Sequence, residues 1–371
     1  MSTSSHSLAG QRKFLRTSAG AETYAERMSP ELTPGEAGTR ATLAEVAALA
    51  DVSISTVSKV LNGRTGVSED TRARVESLLR DHQYNRRNPG PNHAPLIEVL
   101  CFEIDSAWAA EAIAAIERLA REHGLGVVVS GTNDRHKPDL GWIEGVLNRR
   151  PVGVILIVSS LTDLQKQQLR SRNIPFVMLD PAGQPAPDVP SIGSADWSGA
   201  YAATQHLIQL GHRDIAIITG PDDVMVAIAR LSGFRAALEG AGLPLRPEYV
   251  RRGEFHHDDG LTEGRALLTL PEPPTAIFAS SDVQALGVYE SARALGVAIP
   301  SQLSVVGFDD LKIARWAGPA LTTIRVPIAE MAEQAVQLVL LLRHEEPPTF
   351  PRVDMATTLV VRDSTAPPAA R

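Results

Sequence analysis

The chain has 371 residues, is 43% hydrophobic and carries a formal net charge of −7 at pH 7. Its length and composition suit two or three folded domains and exclude a chain that is disordered throughout. The acidic balance argues against a protein that coats nucleic acid or anionic membrane with its whole surface. Residues 40–90, however, hold eight Lys and Arg against six Asp and Glu, so positive charge is concentrated near the N-terminus.

Cysteine content and hydropathy indicate a cytoplasmic protein. The single cysteine, Cys101, cannot form an internal disulfide and lies in an apolar run typical of a buried strand. No apolar segment reaches the length of a membrane span, and the first residues lack the continuous apolar core of a secretory signal. Residues 1–39 have no sustained periodicity and predict a disordered leader, with Met28 as an alternative translation start.

Residues 40–85 predict three short helices around one small core. Thr42, Ser53 and Ser68 each stand where a helix N-cap is expected. Apolar residues recur behind these caps at helical spacing, and they supply the core: Leu43, Val46, Leu49, Val57, Val60, Leu61, Val75, Leu78 and Leu79. The second helix carries many hydroxyl groups on its other side, which is unusual because serine and threonine weaken helix interiors.

Two short capped helices joined by a turn are typical of the helix-turn-helix, whose second helix lies in the major groove of DNA. The capped N-termini offer backbone N–H groups to phosphates. Ile54, Ser55 and Lys59 occupy the exposed start of the second helix, where side chains reach base edges. The alternative is a small helical bundle with a solvated face, in which Ile54 packs into the core.

The segment RRNPGPNHAP, residues 86–95, contains three prolines and predicts a linker. Short apolar runs alternate with helical stretches from residue 96 to about residue 362, which indicates parallel sheets flanked by helices. Because this region exceeds one typical domain, we expect two lobes with a binding crevice at the carboxyl ends of their strands. Residues 363–371 are expected to form a disordered tail.

Several polar and aromatic residues follow the predicted strands and are therefore expected at the crevice. The loop FEIDSAWAAE brings Asp105, Ser106 and Trp108 there, and Asp180 ends the strand FVMLD. Phe255 follows another strand and is a candidate to stack on a sugar ring. His256 to Asp259 resemble metal ligands, but adjacent residues at a strand end point in alternating directions, so we expect no metal site and no cofactor.

The segment TLAEVAALADVSISTVSKVLNGRTGVSEDTRARVESLLRDHQY closely resembles the DNA-binding headpiece of the lactose-repressor/galactose-repressor family of bacterial transcription factors. The resemblance continues to about Val361 through segments such as GHRDIAIITGP, ARLSGFRAALEGAGL and VGFDD. It implies an all-α helix-turn-helix headpiece followed by an α/β two-lobed effector domain of the type I periplasmic-binding-protein kind. By this similarity Ile54, Ser55 and Lys59 face bases. Four further residues hold phosphates by the same similarity: Ser53, Thr56, Ser58 and Asn62.

The resemblance also places Arg230, Asp282 and Asp309 at the crevice mouth of the C-terminal lobe. The alternatives to ligand contact are that Arg230 caps a helix or pairs with an acid, and that Asp282 orients a loop. Trp316 is either a lid over the crevice or packing beneath its own loop.

The chain departs from the family pattern at three positions. Asp51 stands in the turn where glycine is usual, and we expect the turn to survive because aspartate tolerates the left-handed conformation. Lys59 stands where arginine is commoner. Because lysine lacks the rigid two-pronged donor of arginine, we expect a weaker preference for particular bases. His93 falls near the place of a leucine that relatives wedge into the minor groove, so we expect no wedge. Arg86 and Arg87 are expected to reach that groove as an extended arm.

Together these features predict a cytoplasmic, homodimeric repressor of carbohydrate uptake or catabolism genes that binds near-palindromic operator DNA. A sugar or glycoside in the crevice is the expected effector, and part of the apolar surface of Met331 to Leu342 is expected to face a partner subunit. A transporter-type solute-binding protein and a sugar-active enzyme are the alternatives. The enzyme would use Asp105 and Asp309 as its carboxylate pair.

Overall fold

The structure is a computed structural model, and it describes residues 43–61, 66–81, 93–134, 138–157, 160–344 and 352–369. The helices, in chain order, are α1 (Leu43–Leu49), α2 (Ile54–Leu61), α3 (Glu69–Asp81), α4 (Ala107–Glu122), α5 (Leu140–Arg149), α6 (Asp163–Arg170), α7 (Asp196–Gln209), α8 (Met225–Gly240), α9 (His257–Leu268), α10 (Asp282–Leu295), α11 (Lys312–Trp316) and α12 (Ile328–Arg343). The strands are β1 (Leu96–Cys101), β2 (Gly126–Gly131), β3 (Gly153–Ile157), β4 (Phe176–Leu179), β5 (Ser191–Ser194), β6 (Ile215–Ile218), β7 (Val250–Arg251), β8 (Ala276–Ala279), β9 (Ser304–Asp309), β10 (Thr322–Arg325), β11 (Arg352–Met355) and β12 (Thr358–Val360).

The headpiece, α1 to α3, packs around a core of small apolar side chains: Val46, Ala47, Ala50, Val57, Val60 and Val75. Asp51 adopts the left-handed conformation with φ of 49°, so the expectation that the turn tolerates aspartate is confirmed. Ser53 Oγ accepts a hydrogen bond of 3.1 Å from the N–H of Thr56, and Ser68 Oγ accepts one of 3.4 Å from the N–H of Thr71. These caps fix where α2 and α3 begin.

The N-terminal lobe is a six-stranded sheet in the order β11-β5-β4-β3-β1-β2, in which every neighbouring pair is parallel. Strands β3 and β4 are wholly buried because helices cover the sheet on both faces. Helix α12 packs against α4 and strands β3 to β5 and buries five apolar side chains there: Met331, Ala332, Ala335, Val336 and Val339. Its own lobe therefore takes up most of the apolar surface that was expected to face a partner, although Leu341 remains 47% exposed.

The C-terminal lobe is a second six-stranded sheet, in the order β12-β10-β9-β8-β6-β7. Its neighbouring strands are parallel except for β12, which runs antiparallel to β10. Helices α7 and α8 pack on one face, and α9 and α10 on the other. The expectation of two α/β lobes is thereby confirmed. Within the described part of the chain, no helix is long and apolar enough to cross a membrane.

The chain passes between the lobes at three adjacent connections, after β5, after β10 and after β11. The first and third of these connections are hydrogen-bonded to each other. The N–H of Ala195 donates to the carbonyl of Met355 at 2.8 Å, and Thr357 Oγ1 donates to the carbonyl of Ala195 at 3.3 Å. Lobe movement must therefore bend the first and third connections together.

The expected disordered tail is wrong for residues 363–369, which pack on the C-terminal lobe. Ser364 is fully buried, where its hydroxyl donates to the carbonyl of Val305 at 2.6 Å and accepts from the N–H of Thr322 at 2.8 Å. The N–H of Ala366 donates to Ser304 Oγ at 3.1 Å. Hydrogen bonds to strands β9 and β10, rather than apolar periodicity, hold this segment.

The N-terminal lobe begins slightly before the expected boundary at residue 96. The N–H of Ala94 donates to the carbonyl of Arg150 at 2.9 Å, and His93 Nδ1 lies 3.1 Å from the carbonyl oxygen of Pro151. Residues 93–95 thus belong with the lobe. The expected leader and the site residues Thr42, Asn62, Arg86 and Arg87 lie outside the described residues.

Replacing Ser364 with alanine should destabilise the C-terminal lobe by about 1–3 kcal/mol, because the variant loses two buried hydrogen bonds. Urea unfolding measures the free energy directly. Ser301→Ala is the matched control, since Ser301 is exposed, and it should change the free energy of unfolding by less than about 0.5 kcal/mol. Equal effects of the two substitutions would contradict the packed arrangement of the tail.

Candidate functional sites in the headpiece and between the lobes

The outer side of α2 presents hydroxyl groups and one cation to solvent. Ser53, Ser55 and Lys59 are exposed, while Val57 and Val60 of the same helix are buried. Ile54 is 53% exposed, so the alternative in which Ile54 packs into the core is wrong. A helix that buries one stripe and exposes its N-terminal turn has the shape needed to enter a groove.

Hydroxyl groups are clustered at the start of this helix. Ser53 Oγ lies 2.7 Å from Ser55 Oγ and 2.8 Å from Thr56 Oγ1. Ser58 is half-buried on the next turn, and Ser68 Oγ donates to Thr71 Oγ1 at the start of α3. Phosphate oxygens accept hydrogen bonds from hydroxyls and from backbone N–H groups at helix N-termini, and this cluster supplies both.

A cavity of about 570 Å³ lies between the lobes, at the carboxyl ends of strands from both sheets. Strands β1, β3 and β4 contribute its N-terminal wall, and α8, β9 and the segments after β7 and β8 contribute the opposite wall. The structure brings seven of the predicted ligand residues to this cavity: Asp105, Ser106, Trp108, Asp180, Arg230, Phe255 and Asp309.

Arg230 is the centre of the C-terminal wall, and its side chain is only 4% exposed. Its Nε donates to Asp196 Oδ1 at 2.7 Å, and its Nη1 donates to the carbonyl of Ser280 at 2.5 Å. Its Nη2 lies 3.6 Å from Asp309 Oδ1, and the guanidinium sits 3.8 Å from the ring centroid of Phe308. Arg230 thus pairs with acids and also lines the cavity, so both roles suggested by the sequence are combined.

Asp180 and Asp309 end β4 and β9 on opposite sides of the cavity, with φ of 51° and 109°. Phe255 also has a positive φ, of 71°. Non-glycine residues rarely adopt such angles, and their concentration at one cavity is typical of a functional site. One carboxylate oxygen of each aspartate, Oδ1, is buried without a hydrogen-bond partner.

Burial raises the pKa of Asp180 to about 8, with added repulsion from Asp196 and an opposing effect of Arg230. Burial likewise raises the pKa of Asp309 well above its ordinary value, and Arg230 again opposes the shift. Desolvation penalises the charged form of each carboxyl group. The cavity is therefore a place where hydrogen bonds or positive charge from a ligand would be strongly favourable.

Two predicted ligand residues do not reach the cavity. Asp282 is fully buried, where its Oδ2 accepts from the N–H of Leu311 at 2.7 Å and its Oδ1 accepts from Thr323 Oγ1 at 2.5 Å. It orients the loop after β9, and burial raises its pKa to about 7. Trp316 is 75% exposed on α11 and neither covers the cavity nor packs beneath the loop. The prediction that Asp282 and Trp316 line the ligand cavity is therefore wrong.

Sequence reasoning missed residues that connect the two walls. His256 Nε2 lies 3.0 Å from Glu103 Oε2 of the other lobe, and both residues line the cavity. Glu111 Oε1 accepts from the N–H of Lys312, also across the lobes, at 3.1 Å. Burial opposes protonation of His256, but its hydrogen bond to the accepting Glu103 carboxylate and the charges of nearby acids outweigh burial and raise the pKa of His256. Glu103 follows β1 and His256 follows β7 shortly after Phe255. The rule that ligands bind beyond the carboxyl ends of parallel strands would therefore have identified both residues.

Residues of the segment His256 to Asp259 cap α9 and contact the neighbouring helix α10. Asp259 Oδ2 accepts from the N–H groups of Glu254 and His256, so this carboxylate caps α9. His257 lies 3.4 Å from Glu290 of α10. In the described ranges, no group of three or more His, Cys, Asp or Glu residues is arranged to hold a metal ion.

Two family models match the chain. The family described as "Bacterial regulatory proteins, lacI family" matches residues 42–87, and the one described as "Periplasmic binding protein-like domain" matches residues 204–365. The chain is 32% identical over 309 residues to the HTH-type transcriptional repressor CytR of Escherichia coli (strain K12), which covers 81% of this chain and 89% of CytR.

Two solved structures share this architecture. The complex of the transcriptional regulator CelR with cellobiose has a TM-score of 0.66 and 30% identity, over 88% of this chain and 100% of that one. The lac repressor dimer bound to operator and the anti-inducer ONPF has a TM-score of 0.65 and 27% identity, over the same shares of the two chains. Both cover the headpiece as well as the two lobes.

The contact between Glu103 and His256 should make stability depend on pH. Since the folded pKa of His256 lies above that of an unfolded histidine, about 6.5, the contact contributes stability below that pH and loses it as pH rises through the folded value. We expect the melting temperature of the wild type minus that of His256→Gln to be larger at about pH 6 than at about pH 8.5.

Glu103→Gln supplies the control for this experiment, because it keeps the side-chain shape and removes the negative charge. In the Glu103→Gln background, the pH-dependent part of the His256→Gln effect should become smaller. An unchanged pH dependence in that background would show that Asp259 and Glu254, rather than Glu103, control His256.

Proposed function

Because this chain belongs to the lacI family of bacterial regulatory proteins and is a DNA-binding transcriptional repressor of that family, we propose that it represses carbohydrate uptake or catabolism genes under the control of a sugar or glycoside. The observation that carries this proposal is the headpiece, in which α2 buries its valines and exposes Ile54, Ser55 and Lys59. A protein with this role works on the chromosome, and we place it in the cytoplasm.

We assign two kinds of DNA contact to the headpiece. Ile54, Ser55 and Lys59 face base edges, where the Lys59 ammonium can donate to guanine O6 and N7. The remaining hydroxyl and amide side chains hold the phosphates on either side, with the helix N-termini supporting them: Thr42, Ser53, Thr56, Ser58, Asn62 and Ser68. Arg86 and Arg87, outside the described residues, are assigned to the minor groove as an arm.

One short helix buries too little surface to select an operator, so the proposed unit is a homodimer on near-palindromic DNA. Trp316 supports a partner surface, because it is the most exposed large apolar side chain in the part of the chain that the structure describes. It lies two residues before Gly318, and Gly318 and Pro319 line an open groove of about 470 Å³ together with Leu286 and Tyr289. An exposed tryptophan beside such a groove is typical of a protein interface.

The interlobe cavity is the proposed effector site. Hydrogen-bonding groups on both walls suit hydroxyls, and Phe255 and Trp108 suit the apolar side of a sugar ring. The cellobiose complex of CelR supports this choice, since it is a regulator with the same architecture that holds a sugar. A ligand that contacts both lobes changes their relative position, which alters headpiece spacing and makes effector and operator affinities reciprocal.

We propose no catalytic role for the cavity. The carboxylate pair suggested for an enzyme was Asp105 and Asp309, but Asp309 Oδ1 faces the Arg230 guanidinium at 3.6 Å. A carboxyl group held by a buried cation serves ligand orientation better than proton transfer. The headpiece, in turn, has no use in a transporter-type solute-binding protein.

Replacing Lys59 with alanine should lower affinity for the cognate operator by about ten- to a hundredfold, because it removes a donor to base edges. Fluorescence anisotropy with the chain's own upstream DNA, at fixed salt and with scrambled competitor, measures the loss. The specificity ratio between operator and competitor should fall as well.

Arg74→Ala is the matched control, because it removes the same charge from an exposed position on α3. It should weaken binding to operator and competitor alike, through the loss of general attraction to phosphates. If Lys59→Ala behaved in the same way as Arg74→Ala, Lys59 would have no part in base recognition. If the wild type bound the operator no more tightly than competitor DNA, the function proposed for the headpiece would be wrong.

Replacing Asp309 with asparagine should leave operator binding intact and weaken the response to the effector about tenfold or more, because an amide has one acceptor oxygen and cannot ionise when ligand hydroxyls donate to it. Release of operator DNA is titrated with a panel of mono- and oligosaccharides that includes cellobiose. Asp258→Asn, whose side chain is 95% exposed on the same lobe, should respond as the wild type does. An unchanged response of Asp309→Asn would place the effector elsewhere.

A further inference from the structure

The interlobe cavity is lined by more acidic than basic side chains. Arg230 and His256 line it together with five carboxyl groups: Glu103, Asp105, Asp180, Glu254 and Asp309. Both basic side chains already contact acidic ones, since Arg230 lies against Asp196 and Asp309, and His256 lies against Glu103. This lining disfavours a phosphate or carboxylate group on a ligand.

Asp180 is the carboxyl group with the clearest need for a partner. It is 6% exposed, it lines the cavity, and its Oδ1 has no hydrogen-bond partner. Buried carboxyl groups in folded proteins are paired or hydrogen-bonded, because an unpaired one loses hydration without compensation. The raised pKa of Asp180, about 8, has the same physical origin. A donor on the ligand would complete this site.

The local charge decides which kind of donor fits. Three carboxyl groups, those of Asp180, Asp196 and Asp309, act on one guanidinium, that of Arg230. A ligand hydroxyl would satisfy Asp180 Oδ1 but would not ionise Asp180, whose pKa burial raises. An ammonium group would satisfy the same atom with a charge-assisted hydrogen bond and would also stabilise the ionised form of Asp180.

The aromatic side chains point to the same class of ligand. Phe255 and Trp108 line the cavity from opposite lobes. Aromatic faces attract cations and also cover the apolar face of a sugar ring. Carboxylates combined with two aromatic rings suit a ring that carries both hydroxyls and a positive charge.

We propose that the effector is a small sugar that carries a protonated amine, with its ammonium group against Asp180 and its ring between Phe255 and Trp108. Arg230 and Asp309 then hold its hydroxyl groups. This inference rests on the proposed function and narrows its sugar or glycoside to the amino sugars.

The test compares matched forms of one sugar against the full chain. Glucosamine, N-acetylglucosamine and glucose 6-phosphate each differ from glucose at one position, and the same four forms of galactose and mannose extend the set. In at least one series, the free amine should raise the melting temperature and bind about tenfold or more tightly than its neutral and acetylated forms. The phosphorylated forms should not bind. The inference is overturned if a neutral, acetylated or phosphorylated form equals the amine in every series, or if no compound binds.

Asp180→Asn tests the assigned contact, because it keeps the shape of the side chain and removes its charge. It should abolish the preference for the amine over the neutral form. Calorimetry at about pH 7 should also detect proton release on amine binding to the wild type, since the ammonium favours ionised Asp180, and none with Asp180→Asn. Asp188→Asn, on the same lobe with its side chain 62% exposed, is the control and should keep both properties. An amine preference that survives in Asp180→Asn would overturn the assignment.

Operator binding by the same preparation separates this inference from the proposed function. Specific operator binding released only by a neutral sugar would uphold the repressor and overturn the amine. A thermal shift with glucosamine but no specific operator binding would uphold the ligand class and overturn the regulatory role.

Discussion

A single buried guanidinium organises the region where the two lobes meet. Arg230 comes from α8, and its partners are Asp196, just after the first crossing between the lobes, and the strand ends at Ser280 and Asp309. Ser194 at the end of β5 donates to Asp196, which extends this network into the N-terminal lobe. A buried charge is tolerated only with such partners, so the positions of these four elements are fixed together. Removing Arg230 would leave the carboxyl groups of Asp196 and Asp309 buried without their cation.

This arrangement explains how a ligand could act on lobe position. Asp180 belongs to one lobe, whereas Arg230 and Asp309 belong to the other, and the Glu103–His256 contact already joins the walls. A ligand changes a conformational equilibrium only through different contacts with the two states. A molecule held by both walls makes its full set of contacts in one lobe arrangement only. The hydrogen bonds between the first and third crossing segments couple the movement of these two connections.

Much of this architecture follows from local rules in the sequence. Helix caps and apolar spacing identified the headpiece, because these signals act within one or two turns. The rule that ligands bind at the ends of parallel strands predicted that Asp105 and Asp180 lie at the cavity, and family resemblance predicted the same for Asp309. Resemblance also placed Asp282 there, but a sequence motif does not reveal whether the carboxylate turns to the cavity or to the loop beside it. The packed tail was missed because Ser364 is held by strands distant in sequence.

The strained backbone of the cavity and its carboxyl oxygens without hydrogen bonds both favour the binding of a ligand. Asp180, Phe255 and Asp309 keep unfavourable backbone angles, and two buried carboxyl oxygens lack hydrogen bonds. Each of these features costs stability that packing elsewhere in the lobes must offset. A ligand with matching donors removes part of that cost, so its binding energy is coupled to the shape of the cavity rather than to contact area alone. A cavity relaxed by apolar substitutions would be more stable and would respond less to its effector.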